Sequence, residues 1–220
     1  MASRTMHLAI AKKMKENNVI NNYSRYVIGQ ILPDAITHGL VNHADSHFKV
    51  SVCDNRKKMI DFEEFRNKYS YEILSDDLYL GYYFHLIQDA IYRKFLYYDY
   101  GYTVTCREDV EVLHNDYRLL NSYLISKYQL DNYLVIPEEF EKDKINNIYP
   151  FSLDNYIEDT KNDFLPYHTG ETKFFTEAMA DEYINECFKL CYTELINLKE
   201  GKVYLKPMDY GWELPTKENR

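Results

Sequence analysis

The sequence predicts an all-α protein, a single-domain bundle of several helices. Apolar residues recur at helical spacing in several long segments, whereas the alternation typical of strands is scarce. Seven glycines and six prolines in 220 residues leave few interruptions, and no low-complexity linker divides the chain. This length is enough for one domain with a substantial core. We therefore expect one helical domain over residues 1–200, followed by a polar C-terminal tail over 201–220.

Two helices are predicted near the start of the chain. Residues 5–16 place apolar side chains on one face, and Thr5 is the expected N-terminal cap. A second helix over 22–30 is expected to end in the region 29–33, where the proline favours an extended conformation at Leu32.

The clearest helical pattern runs over residues 76–98, where an apolar stripe recurs at helical spacing. Asp76 or Asp77 is the expected N-terminal cap. The other segments are assigned as follows: mostly irregular structure over 35–60, a short helix over 61–70, helices over about 107–129 and 172–197, and mixed structure with short helices over 131–170.

Charge and composition argue against several classes of function. The formal net charge is −9, whereas a protein that binds nucleic acid in general usually presents a basic face, and a negative charge also disfavours anionic membranes. No stretch has the length and apolarity of a membrane span or a signal peptide. The four cysteines do not suggest a disulfide framework. We expect a cytoplasmic protein without a nucleic-acid partner; the tyrosine-rich composition leaves a homodimer open.

His85 and Asp89 are the first candidates for a functional site. They are four residues apart, so they project side by side from one helix face, next to the apolar stripe. A buried carboxylate beside a buried imidazole needs a partner, because an unpaired buried charge is costly. A divalent metal ion satisfies both groups. A simple hydrogen bond between the two side chains inside a bundle explains the pair about equally well.

Four further residues strengthen the metal interpretation when they are taken together. His7 lies on the apolar face of the first helix, Asp34 follows the apolar run YVIGQIL, His47 lies in the segment DSHF, and His114 adjoins the apolar face of the helix over 107–129. Each has an ordinary structural explanation by itself. Helical bundles commonly assemble metal sites from facing helices in this way. Imidazole and carboxylate ligands suit zinc, with other divalent ions open.

The order of these motifs resembles the zinc-dependent phospholipase C and P1-type nuclease superfamily, and most closely its short, mostly bacterial phospholipase C-like branch. The motifs that carry the resemblance are MHLAIAKK at 6–13, YVIGQILPD at 26–34, DSHF at 45–48 and LGYYFHLIQD at 80–89. They span roughly the first half of the chain, and the second half matches weakly through LHNDY at 113–117. The resemblance implies an all-α bundle with two or three zinc ions.

The resemblance also implies roles for individual residues. The four implied ligands of one zinc ion are Asp34, His47, His85 and Asp89. His7 would hold a second zinc ion, with Asp89 bridging the two. Asp34 is in addition the position to consider as the general base.

The chain departs from the family pattern in three places. Secreted members use a mature N-terminal Trp as a ligand, whereas this chain begins Met-Ala-Ser-Arg. No histidine follows Asp89 in the stretch DAIYRKFLYYD, and His114 is followed four residues later by Arg118 rather than by Glu. We therefore expect two metal ions rather than three. His114 is expected to complete the second site, helped by Asp116. Arg118 is the candidate to meet a substrate phosphate, although an ordinary surface charge explains it somewhat better.

The predicted function is hydrolysis of a small phosphate ester, as in a phospholipase C-like phosphodiesterase that acts on a phospholipid head group. Tyr82 and Tyr92 flank the histidine–aspartate pair on the same helical line and are candidates for the pocket wall. Simple packing in the core explains them slightly better. The alternative is a non-catalytic domain in which the metal only holds the bundle together or the site binds a ligand. A nuclease is disfavoured by the acidic charge. An HD-type phosphohydrolase is disfavoured because the chain has no adjacent His-Asp dipeptide.

Overall fold

Helices account for most of the structure, as the sequence predicts. The structure is a computed structural model that describes residues 2–36, 43–102, 104–138, 140–147, 149, 151–165 and 170–213. None of the helices in these ranges is both long and apolar enough to cross a bilayer. The α-helices are α1 (Arg4–Glu16), α2 (Tyr23–Ile31), α3 (His43–Ser46), α4 (Phe62–Lys68), α5 (Ser70–Ser75), α6 (Asp77–Lys94), α7 (Arg107–Tyr128), α8 (Leu153–Lys161) and α9 (Glu177–Lys199).

Helix α6 lies at the centre of the fold. Every residue from Asp77 to Tyr92 is buried, so the helix is covered on all sides rather than along one stripe. Its N-terminal cap is Asp76, whose side chain accepts a hydrogen bond from the backbone N–H of Leu78 at 3.0 Å. A π-helical turn, Phe95–Asp99, extends it. Side chains on α6 therefore point into protein in every direction.

Helix α1 begins earlier than the sequence suggested. Its N-terminal cap is Ser3, whose side chain accepts from the backbone N–H of Met6, and Thr5 lies within the first turn. The hydroxyl of Thr5 instead donates to Oδ1 of Asn121 on α7, at 2.9 Å. The prediction that Thr5 caps this helix is therefore wrong, because a second hydroxyl residue two positions earlier takes that role.

Helix α2 packs against α6 more extensively than any other pair of elements in the described part of the chain. Gly29 and Gly81 make this contact close, since a Cβ added at Gly29 would lie 2.1 Å from the carbonyl oxygen of Leu78. Gly29 therefore serves helix packing and does not end α2. The chain stays helical through Leu32, and a short 3-10 helix, Leu32–Asp34, follows. Leu32 is therefore helical, and the prediction of an extended conformation there is wrong.

A small antiparallel sheet lies where the sequence predicted irregular structure and a polar tail. Its strands are β1 (Lys49–Val52), β2 (Lys57–Ile60) and β3 (Trp212–Glu213), in that order. Each is too short to show alternation. Trp212 pairs with Lys58 and is buried, as are Leu205 and Tyr210. The segment up to residue 213 therefore packs against the same core as the helices.

Asp116 on α7 fixes the approach to α9. Its buried carboxylate accepts three backbone N–H groups, from Lys173, Phe174 and Phe175, each at 2.8 Å. Helix α9 then begins at Glu177, five residues later than the predicted start near 172. Asp116 therefore organises a loop, whereas the sequence had suggested that it helps His114 at a second metal site.

Candidate metal centre

Four histidines and two aspartates from separate parts of the chain converge beside α6. They form two groups, and in each group the ligand atoms lie within 4.8 Å of one another. The inner group consists of His7 on α1 and His85 and Asp89 on α6. The outer group consists of Asp34 at the end of the 3-10 helix, His43 on α3 and His47 just after it. Five of these six residues are candidates from the sequence; His43 is the addition.

The two groups are adjacent. Nε2 of His47 lies 3.1 Å from Nε2 of His85 and 3.6 Å from Oδ2 of Asp89. Tyr82 supports this arrangement. Its hydroxyl donates to the carbonyl oxygen of Ser46 at 2.6 Å and so holds the turn that carries His47. The inner and outer groups therefore form one continuous cluster of donor atoms.

Hydrogen bonds at the outer ring nitrogens fix the tautomers of three histidines. Nδ1 of His85 lies 2.8 Å from the carbonyl oxygen of Gln30, and Nδ1 of His47 lies 3.1 Å from that of His43. Nδ1 of His7 lies 2.6 Å from the side-chain oxygen of Gln88. Because these oxygens only accept, each Nδ1 carries the proton. Each Nε2 then presents a lone pair to the centre, as in metal-binding histidines.

These lone pairs face other acceptors rather than donors. Nε2 of His7 lies 3.6 Å from Oδ1 of Asp89, and Nε2 of His47 lies 3.1 Å from Oδ1 of Asp34. Because each Nε2 carries a lone pair rather than a proton, neither contact is an ion pair. Nε2 of His7 and Oδ1 of Asp34 are buried and have no hydrogen-bond partner among the described residues. Buried acceptors that face one another call for a cation between them.

The charge of the cluster leads to the same conclusion. Burial lowers the pKa of His47 to about 3 and that of His85 to about 4, so both rings are neutral at neutral pH. Burial opposes ionisation of Asp34 and Asp89, but basic neighbours outweigh it and lower the pKa of both carboxyls well below the usual value. Two buried carboxylates beside the neutral rings of His47 and His85 leave negative charge that a divalent ion would balance.

The spacing of the donor atoms fits a metal ion. Zinc–ligand bonds of about 2.0–2.1 Å place neighbouring ligand atoms of a tetrahedral site about 3.4 Å apart. The closest donor separations in the cluster range from 3.1 Å, between His47 and Asp34, to 3.6 Å, between His7 and Asp89. The residues present therefore fit a divalent ion of this kind.

The segment before α1 also reaches the centre. The backbone nitrogen of Ala2 donates to Oδ1 of Asp89 at 3.0 Å, and both residues are buried. This backbone N–H therefore helps to orient the carboxylate of Asp89.

A cavity of about 340 Å³ opens beside the outer group. Asp34 and His43 contribute to its wall, whereas none of the three inner-group residues does. Its remaining lining residues are Ala2, Ser3, Arg4, Ile36, His114, Tyr117, Arg118, Asn121, Tyr156 and Asp163. The outer group is therefore the part of the cluster that a small molecule in this cavity would meet.

The structure places three predicted site residues away from their expected positions. His114 is exposed on α7 and lines the cavity, but it belongs to neither ligand group. Tyr82 and Tyr92 are buried and do not line the cavity. Tyr92 is hydrogen-bonded to Tyr117. Helical proximity to His85 and Asp89 does not bring these tyrosines to a pocket, because α6 is enclosed on every side.

His43 is the residue that the sequence reasoning missed. It precedes His47 by four residues, and the two rings stack with centroids 3.8 Å apart. The spacing HxxxH in HADSH is the signal that could have found it, since four residues make one helical turn. Because residues 35–60 were predicted to be mostly irregular, this helical spacing was not considered.

Comparison with protein-family models, with curated proteins and with solved structures finds no match for this chain. The family resemblance drawn from the motifs therefore stays a prediction. The case for a metal centre depends on the geometry of its own residues.

The metal-free protein is expected to lose stability as the pH falls below about 6.5. The pKa values of His47 and His85 are lowered to about 3 and about 4 in the folded state, so the unfolded chain binds more protons across this window. The stabilisation is complete above pH 6.5 and is lost progressively as the pH falls towards these values. Each histidine contributes a slope of up to about 1.4 kcal/mol per pH unit.

Urea unfolding in the presence of a chelator at pH 5–8 measures this effect. His85→Gln removes one of the two groups and should flatten the dependence. A midpoint that stays constant between pH 6.5 and 5 would contradict the prediction.

Proposed function

We propose that the protein is a metal-dependent hydrolase of phosphate esters, a phospholipase C-like phosphodiesterase with a dinuclear zinc-type centre in a fold of the phospholipase C/P1 nuclease kind. One observation carries the proposal. Unpartnered metal-ligand atoms line the same cavity as Arg118, an arginine that makes no ion pair with any described residue. A metal centre and a guanidinium on one small cavity suit a phosphate group.

Arg118 differs from the other arginine in the cavity wall. Arg4 is engaged with Asp163 at 2.6 Å and with Asp159 at 2.5 Å, so its charge is already balanced. Arg118 is exposed on α7, one helical turn after His114, and both face the cavity. Its guanidinium is therefore available for a phosphate oxygen.

Each part of the site has a role in such a reaction. Zinc ions bound here would polarise the phosphoryl group and acidify a bound water. Asp34 is ionised at neutral pH and is oriented by the hydroxyl of Tyr156, which donates to its Oδ2 at 3.3 Å. Its carboxylate can accept a proton from a water in the cavity. Arg118 would neutralise charge that develops on the phosphate oxygens.

One observation favours a non-catalytic alternative. The three residues of the inner group, His7, His85 and Asp89, are each at most 1% exposed. An ion there would be closed off by protein, which is typical of structural metal sites. The two functions differ in whether any bound ion is accessible to a substrate.

The experiment measures metal content and turnover on the same preparation. The substrates are bis(p-nitrophenyl) phosphate, p-nitrophenylphosphorylcholine and p-nitrophenyl phosphate. We expect zinc to co-purify and a diester to be hydrolysed. Arg118→Ala should lower kcat/KM by about 10-fold to 100-fold, because a charge-assisted hydrogen bond contributes about 1.5–3 kcal/mol.

Arg107→Ala is the matched control, since this arginine is exposed at the start of the same helix and does not line the cavity. It should leave kcat/KM unchanged. Full metal content without turnover of any of the three substrates would support the structural alternative instead.

A further inference from the structure

The contact between Asp34 and His43 in the outer group does not fit a hydrogen bond. Nε2 of His43 lies 3.4 Å from Oδ1 of Asp34, which is long compared with the usual separation of about 2.9 Å. Both atoms are buried, and neither has a hydrogen-bond partner among the described residues. A separation of about 3.4 Å is what two ligands of one tetrahedral zinc ion show.

His47 completes the arrangement. Its Nε2 lies 3.1 Å from the same Oδ1 of Asp34, and its proton is held on Nδ1 by the carbonyl oxygen of His43. Three donor atoms from two short segments thus surround one point. The side chain of Asp34 is 8% exposed, so this point is almost shielded from solvent on the side of the carboxylate.

The inner and outer groups differ in their access to the cavity. Asp34 and His43 both line it, and the side chain of His43 is 32% exposed. The inner residues are enclosed and do not line it. An open coordination position distinguishes a catalytic metal ion from a structural one. Among the described residues of the two groups, only Asp34 and His43 of the outer group line the cavity from which such a position could be reached.

We propose that Asp34, His43 and His47 hold the substrate-facing ion of the centre and that the inner group holds an enclosed, structural ion. His43 is then a metal ligand that neither the sequence motifs nor the family resemblance assigns. The ligand of the outer ion is the phosphate group of a small ester, shared with Arg118; this last step rests on the proposed function, whereas the ligand assignment does not.

The test compares metal stoichiometry in three proteins: the unaltered chain, His43→Ala and His114→Ala. Each is stripped of metal and titrated with Co²⁺, whose visible absorption reports each bound ion, and total metal is measured separately. We expect two ions in the unaltered chain, one in His43→Ala and two in His114→Ala. His114 is a matched control because it lines the same cavity but belongs to neither group.

Binding of inorganic phosphate, followed by isothermal titration calorimetry, provides the second readout. The affinity of His43→Ala should fall at least about 10-fold, whereas its thermal unfolding in Co²⁺ should remain close to that of the unaltered chain, since the inner ion stays bound. His7→Ala should show the reverse pattern: its metal-dependent stabilisation should fall, whereas its phosphate affinity should be retained. His43→Gln, which keeps most of the side-chain volume, is used if the alanine variant fails to fold.

Two bound ions in His43→Ala and His43→Gln, with phosphate affinity unchanged, would overturn the assignment. Nζ of Lys49 lies 3.2 Å from Nδ1 of His43, and an ammonium that donates there would keep the ring proton on Nε2. In that case His43 would bond Asp34 only. Loss of one ion in the variant, without hydrolysis by the unaltered chain, would retain the assignment and reject the proposed hydrolase. Hydrolysis by the unaltered chain, with both ions retained in the variant, would reject the assignment of His43 and support the proposed hydrolase.

Discussion

His85→Ala is expected to abolish the stabilisation that an ion in the inner group gives the protein and to reduce the zinc affinity of that group by about 100-fold or more. Substitutions that only orient a ligand typically cost 10-fold to 100-fold in affinity, so removal of a ligand should cost at least as much. His85 stands at the junction of the two groups, 3.1 Å from His47, and its ring is fully buried.

The effect on stability follows from linkage. A ligand at a free concentration of 100 times its Kd stabilises the folded state by about 2.7 kcal/mol. The unaltered protein should gain about this amount from the inner ion, whereas His85→Ala should keep only the gain from the outer ion. The metal-free variant is also destabilised, because a buried side chain and its bond to the carbonyl oxygen of Gln30 are lost. Hydrolysis of phosphate esters should fall together with metal content.

Thermal unfolding with and without zinc measures this prediction, alongside metal analysis after dialysis. His114→Ala serves as the control and should keep the full zinc-dependent increase in Tm. An unchanged increase in His85→Ala would show that the inner group does not bind metal.

The sequence allowed much of the centre to be predicted because its ligands follow regular spacing or flank clear helices. His85 and Asp89 are one turn apart on the longest apolar stripe, and His7 lies on the buried face of α1. The separation of the ligands into two groups was not predictable. It depends on how the turn after α3 folds back over α6, which is a tertiary contact.

The errors have a common physical cause. Tyr82 was expected in a pocket because it lies beside His85 on the helix, yet its ring stacks on Phe65 with centroids 4.7 Å apart. The cavity is formed by α7 and α8 residues such as Arg118 and Tyr156, which are distant in sequence from α6. Periodicity predicts which face of a helix is apolar, but when all faces are covered it does not predict what covers each one.

Gly29 shows that the sequence pattern also did not predict how two helices pack. A glycine near a proline was interpreted as the end of a helix, whereas it lies inside α2 at the crossing with α6. Gln30 beside it serves the site directly. Its side chain donates to the carbonyl oxygen of Gly81 at 2.7 Å, and its own carbonyl oxygen accepts from His85. The close helix contact therefore sets the position of His85, a proposed metal ligand.

Gly81→Ala is accordingly expected to destabilise the protein by about 2 kcal/mol or more, although alanine is the better helix former by about 1 kcal/mol. The new Cβ would lie 2.3 Å from the carbonyl oxygen of Tyr26 and 3.0 Å from Cα of Gly29. Both are backbone atoms, so the two helices must move apart, and steric cost outweighs propensity. Gly211→Ala is the matched control, since its nearest contact would be an ordinary 3.5 Å.

The separation of the helices should also weaken zinc binding, because the carbonyl oxygen of Gln30 would move away from Nδ1 of His85. Urea unfolding of the metal-free proteins measures the packing cost, and zinc titration of the folded fraction measures the effect on the centre. Gly211→Ala should change the stability by less than about 0.5 kcal/mol and leave zinc affinity unaltered. If Gly81→Ala were instead stabilised by the propensity gain, the close crossing of α2 and α6 would not exist in solution. The position of the metal ligands on α6 would then need a different explanation.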